Sequence, residues 1–405
     1  MISRYLTNLN QKVLDFPIVS WCLLGLILFI PVSTTFSQIF WIVSLILILI
    51  LPHYQRFLPL IFKTPLAYFS IALFLMACLA CFWGEASLSA KWAMAMKYLK
   101  YLFFPILIAG FTHSTFRYRA LHFFLGIMSL TAFLSFLKWT TWLTWRSADP
   151  GEVFYNHIMT GIMMSYASYV AAWLFYISWT KNSLKHKIMY GFLFGFFTFQ
   201  IFFISPGRTG YITYLILVII FLFDIFSIKR ALIALLIAFL TLSVISYKSP
   251  VVQQGIYNVS HDMLAYKNHY LKTSLGYRIQ FHDFAKELFK RHWLIGNGTA
   301  GFAYAFHTEN PIPSWKDLAE PHSQYWLFLS EFGFLGLSIF CLFLYFLIRE
   351  ILQLKEMRLL AIGLLAIFIA GNFTDSLFYY STMLLFFMTM TALCLGEKYE
   401  RQAFR

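Results

Sequence analysis

The sequence predicts an all-α polytopic integral membrane protein with about 12 transmembrane helices and one large, partly helical outer loop. Three observations predict it. First, the chain is 60% hydrophobic, 20% aromatic and 12% charged, whereas a soluble domain carries about 25% charge. Second, apolar runs of roughly 17–25 residues recur along it, each long enough to cross a bilayer as a helix. Third, the polar breaks between the runs alternate between basic and charge-poor.

In chain order, the apolar cores are 18–34, 36–51, 64–82, 93–111, 120–143, 156–179, 188–204, 209–225, 231–246, 323–348, 358–373 and 376–395. The first comes after the weakly charged Met1–Asp15 and ends at Pro31-Val32-Ser33 without a small-residue cleavage site. It therefore reads as an uncleaved first span. The basic breaks hold Arg4 and Lys12; Arg56 and Lys63; Arg117 and Arg119; Lys181, Lys185 and Lys187; Lys229 and Arg230; Arg349, Lys355 and Arg358; and Lys398, Arg401 and Arg405. Cytoplasmic loops carry the Lys/Arg excess, so both termini are expected in the cytoplasm. The net charge of +14 thus reflects membrane orientation and argues against a nucleic-acid partner. Cys22, Cys78, Cys81, Cys341 and Cys394 all fall within apolar runs. They read as small buried residues, with no disulfide framework or metal site.

Residues 1–246 are expected to supply nine helices, 247–320 the large loop and 321–405 three more helices. A connection this long is either functional or disordered. Its aromatic content and the spacing of Phe281, Phe284 and Leu288 predict order, with a short amphipathic helix from His282 to Lys290. The loop then presents Gly296-x-Gly298-x-x-Gly301, the spacing of a dinucleotide-binding turn. That fold needs a strand before the glycines, a helix after them and an acid on a second strand. Only His292–Ile295 precede the glycines, Pro311 and Pro313 interrupt the segment after them, and no strand pattern surrounds Glu320. The glycines are expected instead to let the loop turn tightly and hold Arg278 and His322 over the membrane face, binding no cofactor.

Ionisable residues within spans are costly and mark candidate sites. Lys97 and Lys100 fall in the outer half of the fourth helix, Lys138 near the outer end of the fifth, and His157 at the start of the sixth. Arg208 opens the eighth, Asn372 and Asp375 occupy the last outer turn, and Arg278 and His322 belong to the large loop and its exit. No comparable cluster is expected at the midplane or inner face. Blander readings stand beside these: Lys138 snorkels to the interface, His157 is a satisfied interfacial histidine, and Asp375 caps the last helix. Lys97 and Lys100, three apart, share a face that either anchors headgroups or binds an anion. Arg208, in Ser205-Pro-Gly-Arg-Thr-Gly, opens a helix where free N–H groups already favour an anion.

Three segments together resemble the O-antigen ligase/polymerase superfamily of bacterial envelope glycosyltransferases. The first is Ser205–Gly210, a short turn with an arginine opening a helix. The second runs from Ser274-Leu-Gly-Tyr-Arg278 through Ala285 to Leu294-Ile-Gly-Asn-Gly-Thr-Ala-Gly-Phe302. The third is Pro321-His322-Ser-Gln-Tyr, leading into Leu329-Ser-Glu331-Phe-Gly333-Phe-Leu-Gly336. The likeness covers roughly residues 200–340 and departs at Ser323, where the family commonly has Asn, and at Pro206-Gly207.

The resemblance implies an enzyme of the bacterial inner membrane with its large loop in the periplasm. Such an enzyme takes a glycan from an undecaprenyl diphosphate-linked donor. A ligase passes it to a sugar hydroxyl of the lipid A-core, and a polymerase to another carrier-linked repeat. The ligase is favoured, and the compact sequence after the last run points away from longer, protein-glycosylating relatives. The diphosphate is expected on Arg208 and Arg278, whose planar forks donate paired hydrogen bonds to phosphate, with Lys97 and Lys100 as further candidates. His322 is the expected general base. Tyr277, Glu331 and Asp375 are expected in supporting roles, and the sequence shows no paired acids for a metal. A transporter or flippase is the alternative of a different class, but it would place its polar groups near the midplane on repeated, broken helices.

Overall fold

The computed structural model describes residues 18–145, 147–180 and 183–403, with helices and connections but no strand among them. Arg4, Lys12, Lys181 and Arg405, four of the charges that indicate orientation, lie outside the described residues, as does Met1–Asp15. Each of the twelve apolar segments contains a helix. The first eight are α1 (Ile18–Phe29), α2 (Thr34–Ile50), α5 (Pro65–Leu79), α6 (Leu88–Ala109), α7 (Ser114–Trp139), α8 (His157–Thr180), α9 (Leu184–Phe199) and α10 (Arg208–Ile225). The rest are α11 (Ile228–Lys248), α15 (Gln324–Ile351), α16 (Arg358–Thr374) and α17 (Ser381–Ala403). Seven of these are long and apolar enough to cross a membrane. An eighth arises if α2 is joined with its continuation over α3 (Pro52–Gln55) and α4 (Leu58–Phe62), bent by 80°. Thus every apolar segment is helical among the described residues, but a smaller number meets the full length and composition of a span.

An apolar environment forces backbone hydrogen bonds inward, which selects helices. Local sequence sets their starts: Thr64 caps α5 ahead of Pro65, and Ser87 caps α6. α8 and α17 form the buried centre. α17 packs on α6, α10 on α8 and α16, and α15 on α5, while α11 stays largely exposed at the periphery.

Between α11 and α15 the chain forms a helical cap: α12 (Pro250–Lys267), α13 (Ser274–Arg291) and α14 (Gly301–Glu309). The sequence had indicated only one short helix from His282. α12 was missed because its mixed polarity has no clear period, although Ser249 caps it and Pro250 occupies its first turn. α13 starts earlier because Thr273 accepts a hydrogen bond from the Gly276 N–H and so nucleates the turn. α13 lies along α15 with Phe281, Phe284 and Leu288 buried.

The glycine loop performs a different task from a simple turn. α15 is broken at Gly333 (φ +62°, ψ −161°). There the loop supplies the missing partners: Asn297 and Gly298 N–H groups donate to the carbonyls of Ser330 and Glu331, while Phe334 and Leu335 donate to Trp293 and Leu294. Gly296 and Gly298 have φ values of +69° and +84°, and a side chain on either would collide with the Glu331 or Gly84 backbone. Thr299 then fastens the loop to the end of α5, bonding the carbonyls of Ala80 and Ala77. Gly301 is not in the left-handed region; Ala300 is, at φ +62°. After the break, Phe334–Ile351 extends about 27 Å, so Glu331 stands level with the end of α5 rather than deep within a span.

The opposite end holds charges the sequence had not predicted to cluster. Arg117 is fully buried, 2.7 Å from Glu400. Lys398 lies 2.5 Å from Glu350, and Glu397 accepts the N–H groups of Lys355, Glu356 and Met357. Arg117 and Lys398 belong to the basic breaks that indicate orientation; packing of α7, α15 and α17 buries them as pairs with Glu400 and Glu350.

Gly298→Ala should destabilise the protein by about 1–3 kcal/mol, since it imposes both strain and a backbone collision. In Gly195→Ala a methyl meets nothing within 4 Å, so the melting temperature should be unchanged or raised. Thermal melts in detergent compare the two, and equal melting temperatures would refute the clasp.

Candidate active site

The end of the bundle beneath the cap collects the predicted residues from six elements. His322 lies just before α15, with its backbone in the left-handed region at φ +52°. That conformation costs a β-carbon residue about 1–2 kcal/mol. It is held by the Glu320 carboxylate, which accepts the His322 N–H at 2.6 Å. The imidazole Nδ1 then faces two carboxylates, Glu320 at 3.1 Å and Asp375, at the end of α16, at 3.4 Å. Both are almost fully buried. Tyr380 donates to Glu320 at 3.1 Å, and the Ser376 N–H donates to Asp375 at 2.9 Å.

This arrangement sets the imidazole's chemistry. Carboxylates only accept, so Nδ1 carries the proton and Nε2 is the basic nitrogen of the neutral ring. No hydrogen bond engages Nε2 among the described residues. Burial opposes protonation of His322, but the hydrogen bond to Asp375 and the charges of Glu320 and Asp375 overcome it and hold the pKa above the ordinary histidine value. Burial and the neighbouring Asp375 raise the Glu320 pKa in turn, with His322 opposing. Adjacent His282, which approaches the His322 carbonyl, is shifted down, mainly by burial.

Arg278, on α13, is half-buried and near enough to His322 to oppose its protonation. It forms no ion pair among the described residues. Arg208, at the first turn of α10, donates to the Ser274 hydroxyl at 3.2 Å and lies 3.8 Å from Asp262. Ser274 stands one helical turn before Arg278 on α13, so the fold brings the two arginines to one helix end. Just before Arg208, α9 ends in a π-helical turn, Gln200–Ile204, a local widening often found at functional sites.

Lys97 and Lys100 do share a face, and both reach the segment after Asp375. Lys97 lies 3.4 Å from the Tyr379 ring centre. Lys100 is buried and donates to the Ser381 hydroxyl at 2.7 Å. Tyr277 packs against Phe281 and Trp315. Glu331 sits beside the N–H groups of Ala300 and Phe302 at the start of α14, where a negative charge suits the helix end. Lys138 does not snorkel; it donates to the carbonyls of Asp149 and Glu152. That loop supplies Asp149 and Glu152 to His157 Nδ1, at 2.9 and 3.6 Å.

Glu320 was missed as a site residue, although Glu320-Pro-His322 stood in the sequence; only the fold shows its carboxylate turning back on the imidazole. Likewise no paired acids were legible, because Glu320 and Asp375 lie far apart in the chain. Glu320, His322 and Asp375 offer ligand atoms within 4.8 Å of one another, as do Asp149, Glu152 and His157, so either set could hold a cation. In the first set, protein hydrogen bonds already engage both oxygens of Glu320 and Oδ1 of Asp375. An open cleft of about 520 Å3 leads to His322, with Glu320, Trp315, Tyr379 and Tyr380 in its walls.

Residues 193–341 match a protein-family model described as O-antigen ligase. The matched stretch spans Arg208, Arg278 and His322 and supports a likeness to the O-antigen ligase/polymerase superfamily; Asp375 lies beyond it. A search of curated proteins gives no match.

Asp375→Asn removes a contact that favours the imidazolium, so the His322 titration midpoint should fall; Glu320→Gln should act in the same direction. NMR of ring-labelled histidine in micelles reads this directly, and an unchanged or higher midpoint in Asp375→Asn would contradict the assignment.

Proposed function

We propose that the protein is an O-antigen ligase-type glycosyltransferase. It moves a glycan from an undecaprenyl diphosphate carrier to a sugar hydroxyl of lipid A-core at the periplasmic face of the inner membrane. The observation that carries this reading is His322: its Nδ1 faces buried Glu320 and Asp375 at the mouth of an open cleft, with Arg278 beside it. The family match supports glycan transfer of the ligase/polymerase type.

In this mechanism the acceptor hydroxyl oxygen attacks the anomeric carbon of the carrier-linked sugar. Its proton passes to His322 Nε2 as the new C–O bond forms. The bond from the anomeric carbon to the diphosphate oxygen breaks, leaving undecaprenyl diphosphate with one more negative charge. Arg278 and Arg208 neutralise that charge, since their guanidinium groups remain cationic at any working pH. Asp375 and Glu320 orient the imidazole and stabilise the imidazolium, as carboxylates do beside a catalytic histidine. Lys97 and Lys100 add positive potential around Tyr379–Ser381. Attack opposite the leaving group inverts the anomeric centre. The cationic arrangement requires no metal.

A polymerase would use the same donor chemistry with a carrier-linked acceptor. The deletion strain distinguishes them on gels. A lost ligase leaves core-only lipopolysaccharide and accumulated long carrier-linked polymer, whereas a lost polymerase leaves core bearing a single repeat.

His322→Ala at normal abundance should reduce transfer by roughly 10²–10⁴-fold, and Arg278→Ala should weaken donor use. A base must be neutral to act, so kcat/KM should rise with pH through a value above the ordinary histidine pKa. That inflexion should vanish in His322→Ala. Transfer should also persist in EDTA. Normal transfer by His322→Ala would refute its role as base, and loss of transfer in EDTA would refute the metal-free mechanism.

A further inference from the structure

We infer that the cleft beside His322 is the acceptor-sugar subsite and that Trp315 is its binding platform. This rests on the proposed glycan transfer and adds which partner occupies which wall. Trp315 ends a short 3-10 turn, Pro313–Trp315, in the connection leading to His322. It is 40% exposed, so part of the indole is open to a ligand. Its position is nevertheless fixed: the ring packs 5.5 Å from Tyr277 and 5.5 Å from Phe281. Phe281 in turn lies 5.8 Å from the His322 ring. The platform and the base are thus held by one aromatic residue of α13.

Across the cleft stand Tyr379 and Tyr380, with their rings nearly perpendicular. Tyr380 is tied to Glu320, while Lys97 sits against Tyr379. A pyranose presents C–H groups on its faces and hydroxyls around its rim. Aromatic plates suit the faces, and the phenols and the exposed Asp317 carboxylate in the cleft wall suit the rim. The cleft volume of about 520 Å3 falls in the range of small-molecule sites. A sugar held against Trp315 would direct a hydroxyl towards Nε2, the nitrogen that the carboxylates leave available. The donor diphosphate is assigned to Arg278 and Arg208, which are not in the walls of this cleft.

Two measurements test the assignment on the full-length protein in detergent or nanodiscs. In a transfer assay, Trp315→Ala should raise the acceptor KM by roughly tenfold or more, leave the donor KM unchanged and largely preserve kcat at saturating acceptor. Trp315→Phe should recover much of the acceptor affinity. Independently of turnover, deacylated lipid A-core oligosaccharide should protect Trp315 from hydroxyl-radical oxidation in wild-type protein, whereas the carrier-linked donor alone should not. Protection by the donor alone, an unchanged acceptor KM in Trp315→Ala, or no protection by the oligosaccharide would overturn the subsite. A wild-type protein that transfers no glycan would instead overturn the function on which the subsite rests.

Discussion

The organisation of the candidate-site end depends on the clasp between the Gly296–Gly298 loop and the break in α15. A helix interrupted at Gly333 leaves backbone donors and acceptors without partners, a costly condition in an apolar interior. The loop satisfies them with main-chain hydrogen bonds on both sides of the break, and Thr299 carries the same stretch of chain across to α5. This joins the cap to the bundle by backbone rather than by side chains alone. Because His322 immediately precedes α15 and Arg278 lies on α13, the clasp also sets their relative placement.

On that framework, electrostatics decides the character of the histidine. Two buried carboxylates face one imidazole nitrogen, so its protonated form is stabilised against burial. The left-handed backbone at His322 is part of the same arrangement: the carboxylate that faces the ring also holds the backbone N–H. The buried charges at the opposite end serve packing, with acids and bases paired across α7, α15 and α17. The two ends therefore use ionisable residues differently: one closes its charges on themselves, while at the other, among the described residues, no hydrogen bond engages His322 Nε2 and no ion pair engages Arg278.

The helices were legible because apolar length and the need to satisfy backbone polar groups act locally. The arginine, glycine and histidine segments were legible because their order along the chain is distinctive. Glu320 was not, since two residues of sequence separation do not reveal a carboxylate folding back onto the next histidine. Nor was the pairing of Glu320 with Asp375, nor the approach of Lys97 to Tyr379. α12 escaped because it lacks a sustained hydrophobic period.

By itself, then, the sequence determined an all-helical membrane protein, the order of its apolar segments and the arginine, lysine and histidine residues of the candidate site. Those come from composition, run length and local capping. Tertiary structure alone decided that the glycines clasp a broken helix, that Glu320 and Asp375 meet at His322, and that Trp315 stands over the same cleft. These are contacts between distant segments, set by backbone satisfaction and packing that no local pattern records.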